Sequence, residues 1–173
     1  FNSGMLKFYA AFDTSRFDLI QEDINRLDGV RFKLNNKNFY TNTSYMGSLG
    51  SGWSIHSGLS YTIAKTKVFV VDNAIRNKEN SAHIKLKLKK RFNSRFKLYA
   101  GVEHFITSFN ERFSSETILP IDYGFRLHNS AFFVESDIIL NKKFAMKVGF
   151  RGDRYDINNE FQLAPRVSLA HKT

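Results

Sequence analysis

Cysteine is absent from this chain of 173 residues, and proline occurs only twice. Without cysteine, neither a disulfide framework nor a thiolate metal site can form. The scarcity of proline leaves the hydrogen-bond ladders of a sheet with few interruptions. No run in the sequence approaches the roughly 18 consecutive apolar residues that a transmembrane helix needs. A helical membrane anchor is therefore excluded.

Motifs of catalysis and of nucleotide binding are also missing. The five histidines are scattered, without the HxH or HExxH spacing of metal sites. There is no GxSxG nucleophile elbow, no phosphate-binding glycine loop and no dinucleotide fingerprint. We therefore expect a protein that is not an enzyme, with no catalytic residues, no metal site and no bound cofactor.

Aromatic residues, by contrast, are abundant at 15% of the chain, with 18 Phe and 7 Tyr. This composition favours strands over helices. The mean hydropathy of −0.35 is typical of a soluble protein. A membrane barrel gives a similar value, because half of each strand faces a polar lumen and the loops are hydrophilic.

The net charge of +10 raises the alternative of a polyanion-binding protein. The densest basic stretch is 85–91, in which Lys85, Lys87 and Lys89 alternate with apolar residues. Such lysines share one face of a strand, which favours a solvated strand face over a nucleic-acid site. The phosphates of lipopolysaccharide are a further candidate partner for basic residues at the surface.

Period-two alternation is the strongest pattern in the sequence. Within 53–64, Trp53, Ile55, Leu59 and Tyr61 point one way, and small or polar residues point the other. Similar runs recur at about ten residues each, the length that a tilted strand needs to cross hydrocarbon. Strands of soluble proteins average about five or six residues.

Eight strands are predicted, at about 5–20, 38–47, 53–64, 82–92, 96–108, 130–140, 144–155 and 163–171. In the first of them the phase breaks near 13–15, which predicts a β-bulge. Short connections alternate with long polar ones, so every long loop falls on the same edge of the sheet. The short connections are 48–52, 93–95 and 141–143, and the long ones are 21–37, 65–81, 109–129 and 156–162.

This layout predicts an all-β fold, an up-and-down antiparallel transmembrane β-barrel of the bacterial outer membrane, with short periplasmic turns and long extracellular loops. Residues 1–173 are expected to be part of one such barrel domain. The lipid-facing side is predicted to carry an aromatic girdle of Trp53, Phe92, Phe96 and Phe144, with Leu98 and Val148 near the bilayer midplane. The lumen-facing side is predicted to carry a charged wall, made of Lys85, Lys87, Lys97, Glu103, Glu135, Asp137, Lys147, Arg151 and Asp153.

Several stretches resemble the later barrel strands of TonB-dependent outer-membrane receptors. They are the Gly-x-Arg-x-Asp strand in 148–156, the Pro-Arg-aliphatic strand in 163–170, the stretch 131–135, and the earlier hairpin formed by 39–45 and 52–61. The resemblance implies energy-coupled import of a scarce nutrient such as a metal chelate, a vitamin or a glycan. It also implies a plug domain, further barrel strands and a periplasmic energy-coupling protein as partners, with outer-membrane lipid and lipopolysaccharide around the barrel.

This sequence departs from the family in three respects. No plug domain or energy-coupling box is recognisable, the eight strands are about half the family's usual number, and the chain ends in 171–173 without an aromatic residue. We therefore expect a partial barrel, an open sheet whose first and last strands are not paired. Two alternatives remain, a self-contained eight-stranded structural or passive barrel closed on itself, and a soluble lipocalin-like binding barrel.

Overall fold

The computed structural model describes residues 4–172, apart from the side chain of Arg26. These residues form one antiparallel sheet in which each strand pairs with the next along the chain, which confirms the all-β up-and-down prediction. No helix in this part of the chain is long and apolar enough to span a membrane. Residues 1–3 and Thr173, which belong to the predicted domain, lie outside the described residues. The strands are β1 Gly4–Asp23, β2 Arg26–Gly50, β3 Trp53–Val70, β4 Asn73–Arg91, β5 Phe96–Ser114, β6 Ile121–Ile139, β7 Phe144–Tyr155 and β8 Glu160–His171.

Most of the strands are longer than the sequence pattern predicts. Only β7 has the predicted bounds, and β2 reaches 25 residues. The prediction of long loops at 21–37, 65–81 and 109–129 is wrong, because most of these residues belong to paired strands. The true turns on that side are short, and the strands continue past the predicted ends as three hairpin extensions. We define the extensions as residues 14–37 of β1–β2, 65–80 of β3–β4 and 108–128 of β5–β6.

Each face of the sheet changes polarity where the extensions begin. We call the face of the sheet that carries Glu103 the Glu103 face and the opposite face, which carries Trp53, the Trp53 face. The part of the sheet between the extensions and the short-turn edge is called the band. In β3 the Trp53 face carries Leu59, Tyr61 and Ile63 in the band, and then Lys65 and Lys67 in the extension. The alternation therefore continues in β3, but its polarity is reversed.

The same reversal occurs in β5 and β6. Here the Glu103 face, which is charged in the band, becomes mostly aromatic and apolar in the extension, with Glu111 as an exception. The rings of Phe109 and Phe125, which lie directly opposite in the ladder, stack with their centroids 5.2 Å apart. When apolar residues are expected on one fixed face, this change appears as a loss of pattern, which is why most residues of the extensions were predicted as loops.

Reversal also explains the phase break in β1. The predicted bulge at 13–15 is wrong, because the register with β2 is continuous there and shifts only between Gln21 and Asp23. Phe12 lies on the Trp53 face, whereas Phe17, five residues later, lies on the Glu103 face. The apolar residues change sides through an odd spacing, and no residue is inserted.

Side-chain caps fix two of the turns on the opposite edge. The Oδ1 atom of Asn93 accepts hydrogen bonds from the backbone N–H groups of Arg95 and Phe96, both at 2.8 Å. Asn141 caps the next turn on this edge in the same way, at 2.8 and 3.0 Å from the N–H groups of Lys143 and Phe144. Asn is common in turns because its side chain can satisfy backbone donors two residues further on. These short turns are as predicted.

The sheet is open. Among residues 4–172, β1 pairs only with β2 and β8 only with β7, so the ring closure of a self-contained eight-stranded barrel is not formed. This is the arrangement predicted for a partial barrel. Both edges present unpaired backbone N–H and C=O groups, which in stable sheets are paired or covered.

The register also corrects one placement within the band. Leu98 lies directly opposite Lys90, only two residues into β5, and Val148 lies two strands further along the same row. Leu98 is thus near the short-turn end of β5 and not at its middle, whereas Val148 lies near the middle of the shorter strand β7. Val102, midway between Phe96 and the start of the extension, is at the centre of the band.

Candidate functional site

All nine residues of the predicted charged wall share the Glu103 face. The ladder places Lys85, Glu103 and Asp153 in one row across β4 to β7, with Ala131 between the two acids. A second row brings Asp137 between Lys97 and Lys147. Residues two apart on a strand share a face, which puts the remaining members on the same side. The nine residues therefore share one face, as the alternation predicts, and the structure shows which of them meet. That this face is turned to a lumen stays a prediction.

Glu103 is the centre of the wall. Only 8% of it is exposed, and it is the one buried charged residue in the described part of the chain. One of its carboxylate oxygens contacts the ammonium group of Lys85, and the other accepts a hydrogen bond from the guanidinium of Arg151 at 3.1 Å. A carboxylate removed from water is stable only when it is paired and hydrogen-bonded. Two cations meet that requirement here.

The Arg151–Glu103 contact joins β7 to β5 across the intervening strand. Ala131 of β6 lies directly between Glu103 and Asp153 and is 7% exposed. Its small side chain leaves room for the guanidinium to pass over β6. The same guanidinium also contacts the carboxylate of Asp153 at 2.9 Å. Planar arginine donors suit this kind of bridging between two acids.

A second cluster is built around Tyr99, which sequence analysis did not include among the site residues. Its hydroxyl donates a hydrogen bond of 2.8 Å to Asp137, and the ammonium group of Lys147 lies 3.4 Å from the same carboxylate. Lys87 lies over the Tyr99 ring, with its Nζ atom 4.6 Å from the ring centroid. Cations are attracted to aromatic faces at such distances. The sequence signal that could have identified this cluster was a tyrosine that shares a sheet face with several lysines.

Phe133 is an apolar exception on the charged face, and the structure gives it a role. Its ring is 8% exposed and covers Gly101 of the neighbouring strand. A Cβ atom at Gly101 would clash with that ring and would lie 2.6 Å from the backbone oxygen of Leu86. The Nζ atom of Lys85 lies over this ring, 5.8 Å from its centroid. Phe133 therefore forms an apolar floor for the charged groups around Glu103.

The predicted aromatic girdle lies along the short-turn edge. The rings of Phe92 and Phe96 stack at 5.3 Å across their turn, and the Nζ atom of Lys90 lies 5.0 Å from the Trp53 ring centroid. Phe144 packs against the imidazole of His171, with centroids 4.6 Å apart. The structure thus brings the four girdle residues to one edge. Within residues 4–172, no cluster of three or more acidic or histidine side chains is arranged to hold a metal ion.

Solved structures of outer-membrane receptors have the same fold. The alcaligin outer-membrane receptor FauA of Bordetella pertussis superposes with a TM-score of 0.74 at 12% identity, over 98% of this chain and 30% of the receptor. The ferric yersiniabactin uptake receptor FyuA of Yersinia pestis gives a TM-score of 0.64 at 10% identity, over 97% of this chain and 31% of the receptor.

This chain therefore spans less than a third of the length of either receptor. No family model matches it. No curated protein matches it in sequence. The shared feature is the fold, an antiparallel up-and-down sheet of the kind that forms the wall of an outer-membrane receptor barrel.

Proposed function

We propose that this chain is part of the barrel wall of a TonB-dependent outer-membrane receptor that imports a scarce nutrient. The observation that carries the proposal is the receptor-barrel fold over almost the whole chain, combined with two open edges. A sheet with unpaired first and last strands needs further strands to close it. In this proposal residues 1–173 belong to one larger barrel domain.

The two faces of the band support the membrane placement. The Trp53 face carries Leu86, Val102 and Phe132 at the centre of the band and aromatic rings at the short-turn edge, as expected of a surface between two lipid interfaces. The Glu103 face carries paired charges, which suit a hydrated lumen. Short turns then lie on the periplasmic side, and the hairpin extensions lie outside the cell.

The charged wall is the surface that a plug would contact. Lys87 and Arg166 line one open groove with Glu103, and neither cation forms an ion pair within the described residues. Acidic groups of a plug domain would complement them. Transport would then require the periplasmic energy-coupling protein, which acts through the plug.

A metal chelate is the substrate class that the comparisons favour. FyuA is described as an uptake receptor for ferric yersiniabactin. Vitamins and glycans are the other nutrients that such a receptor would import. None of the residues named above is assigned to the ligand, because in this proposal binding involves the plug and the extensions together.

Fractionation of native cells tests the membrane placement. We expect the protein in the outer-membrane fraction, and we expect it to require detergent for extraction. Recovery in soluble form without detergent would favour the lipocalin-like alternative and would contradict the proposal.

Growth under nutrient limitation tests the import role. We expect a strain lacking the protein to lose growth on a ferric chelate, cobalamin or a glycan as the limiting source, and a strain lacking the energy-coupling protein to show the same loss. If growth is lost in the strain that lacks this protein but not in the strain that lacks the energy-coupling protein, the barrel is passive.

A further inference from the structure

Six basic residues form a cluster on the Trp53 face of the hairpin extensions. They belong to β2, β3, β4 and β5, and all are exposed. In β3 the cluster begins directly after Ile63, the last apolar residue of the band on this face. Successive residues on one face are about 6.6 Å apart along a strand. The members of this cationic cluster are Lys37, Lys65, Lys67, Arg76, Lys78 and Arg112.

The register sets these like charges directly opposite one another. Lys65 lies between Lys37 and Lys78 in one row, and Arg76 lies between Lys67 and Arg112 in another. Like charges at directly opposed positions of an antiparallel pair destabilise the sheet. The fold therefore concentrates four unfavourable pairings in one patch.

Protein carboxylates leave most of this charge uncompensated. Among residues 4–172, the one ion pair made by the cluster joins Arg112 to Asp122 at 3.8 Å, and both partners are more than half exposed. The other five cations form no ion pair in that part of the chain. Neutralisation must then come from solvent ions or from a bound anion.

The first extension shows how the same face is balanced elsewhere. Asp18 accepts two hydrogen bonds of 2.9 Å from the guanidinium of Arg31, and Lys33 lies 3.7 Å from the same carboxylate. The hydrogen bond from Arg31 holds the pKa of Asp18 below its usual value. One acid thus compensates two neighbouring cations of the β1–β2 hairpin, and the cationic cluster contains no equivalent acid between its lysines.

We propose that the cationic cluster binds the phosphate groups of an anionic outer-leaflet lipid whose acyl chains lie against the apolar band. The proposal rests on the membrane placement argued above and adds a specific lipid site to it. Its basis is charge complementarity together with continuity, because Leu59, Tyr61 and Ile63 lead directly to Lys65 and Lys67 on one face of one strand. An amphiphile with phosphates above its chains matches that order, whereas a soluble polyanion has no counterpart for the apolar residues.

The test compares two variants with equal changes in charge. The first removes four cations of the cluster, as Lys65→Gln, Lys67→Gln, Arg76→Gln and Lys78→Gln. The control removes four cations at the short-turn edge, as Arg91→Gln, Arg95→Gln, Lys142→Gln and Lys143→Gln. The full-length protein is purified in detergent and titrated with lipid A, with dephosphorylated lipid A and with inorganic pyrophosphate. Bound lipid is measured by native mass spectrometry.

We expect lipid A to bind the wild type and the control alike, and to bind the cluster variant about tenfold more weakly or worse, since several basic residues near an anionic surface act together. Dephosphorylated lipid A and free pyrophosphate should bind poorly to all three proteins. Equal losses in both variants would show that the effect is net charge and would overturn the proposal. Binding of pyrophosphate as tight as that of lipid A would overturn the lipid assignment in favour of a soluble anion.

The outcome is distinguishable from a failure of the proposed function. A protein that requires detergent and yet shows no preference for phosphorylated lipid keeps its place in the membrane and loses the lipid site. A protein that is soluble without detergent loses both. A far-UV circular dichroism spectrum of each variant that matches the wild-type spectrum establishes that the substitutions have not unfolded the sheet.

Discussion

The band and the hairpin extensions share one hydrogen-bond ladder but carry opposite side-chain polarity on the same face. In β3 the register with β4 runs without a break from Trp53 to Val70, while the Trp53 face changes from Ile63 to Lys65. The extended backbone supplies the pairing in both regions, because each residue offers one donor and one acceptor whatever its side chain. In the proposed membrane placement, side-chain polarity instead reflects the medium that each region faces.

The largest expected difference between the two ends of the sheet is chemical access. The chain has no native cysteine, so single cysteines at Glu116 in an extension and at Ser94 in a short turn each give one reactive thiol. On intact cells, a membrane-impermeant maleimide should label Glu116→Cys and leave Ser94→Cys unlabelled until the outer membrane is permeabilised. Labelling of Ser94→Cys on intact cells would mean that the orientation is opposite to the proposed one.

The next largest effect concerns a lysine placed on the Trp53 face at two depths of β5. Val102→Lys puts a charge at the centre of the band and should cost about 2–4 kcal/mol of folding free energy in lipid. Ser108→Lys, on the same face of the same strand but in the extension, should cost less than about 1 kcal/mol, which is the like-charge cost of facing Arg126. Urea unfolding from lipid vesicles measures both. Equal losses would mean that the band is not lipid-facing.

A smaller effect is expected when one carboxylate is neutralised on the Glu103 face of each region. Glu103→Gln leaves Lys85 and Arg151 without their shared partner and should cost about 1–3 kcal/mol, less than a fully buried pair because both cations retain contact with water. Glu111→Gln, eight residues further along β5 and outside any ion pair in the described residues, should cost less than about 0.5 kcal/mol. Equal losses of folding free energy in the two variants would show that the charged wall does not stabilise the fold.

The smallest effect is the pH dependence of the first extension. The pKa of Asp18 is lowered by the hydrogen bond from Arg31, so the pair stabilises the hairpin fully above the ordinary carboxylate pKa. That contribution disappears as the pH falls through the lowered value. Amide exchange of residues 16–20 should therefore accelerate in acid beyond the intrinsic rate, and Asp18→Asn should remove the dependence. Identical profiles for the two proteins would contradict it.

The turns show how closely local sequence can specify structure. Asn93 and Asn141 both cap their turns with side-chain oxygens, and the sequence alone marked those turns at the right residues. Such caps involve neighbours two or three positions away, so they need no information from the rest of the chain. The bounds of β7, the strand that follows the turn capped by Asn141, were also predicted correctly.

The extensions show where the same reasoning failed. The segments around Phe17 and Lys65 have the alternation of a strand, but their polarity is inverted relative to the band. A rule that assigns one apolar face to each strand predicts a loop at Lys65 and a bulge just before Phe17. Counting alternation without fixing its sign would have recovered the strands, and the run of basic residues would then have appeared on one face.

The sequence by itself determined the strand periodicity, the short turns and the face on which each wall residue lies, because side chains of an extended chain alternate wherever the strand goes. Only the tertiary structure decided which residues meet. Arg151 reaches Glu103 across Ala131, and Lys65 meets Lys37 and Lys78, through registers between strands that are distant in sequence. Those registers depend on the pairing of whole strands and on room over a small residue, which no local pattern encodes.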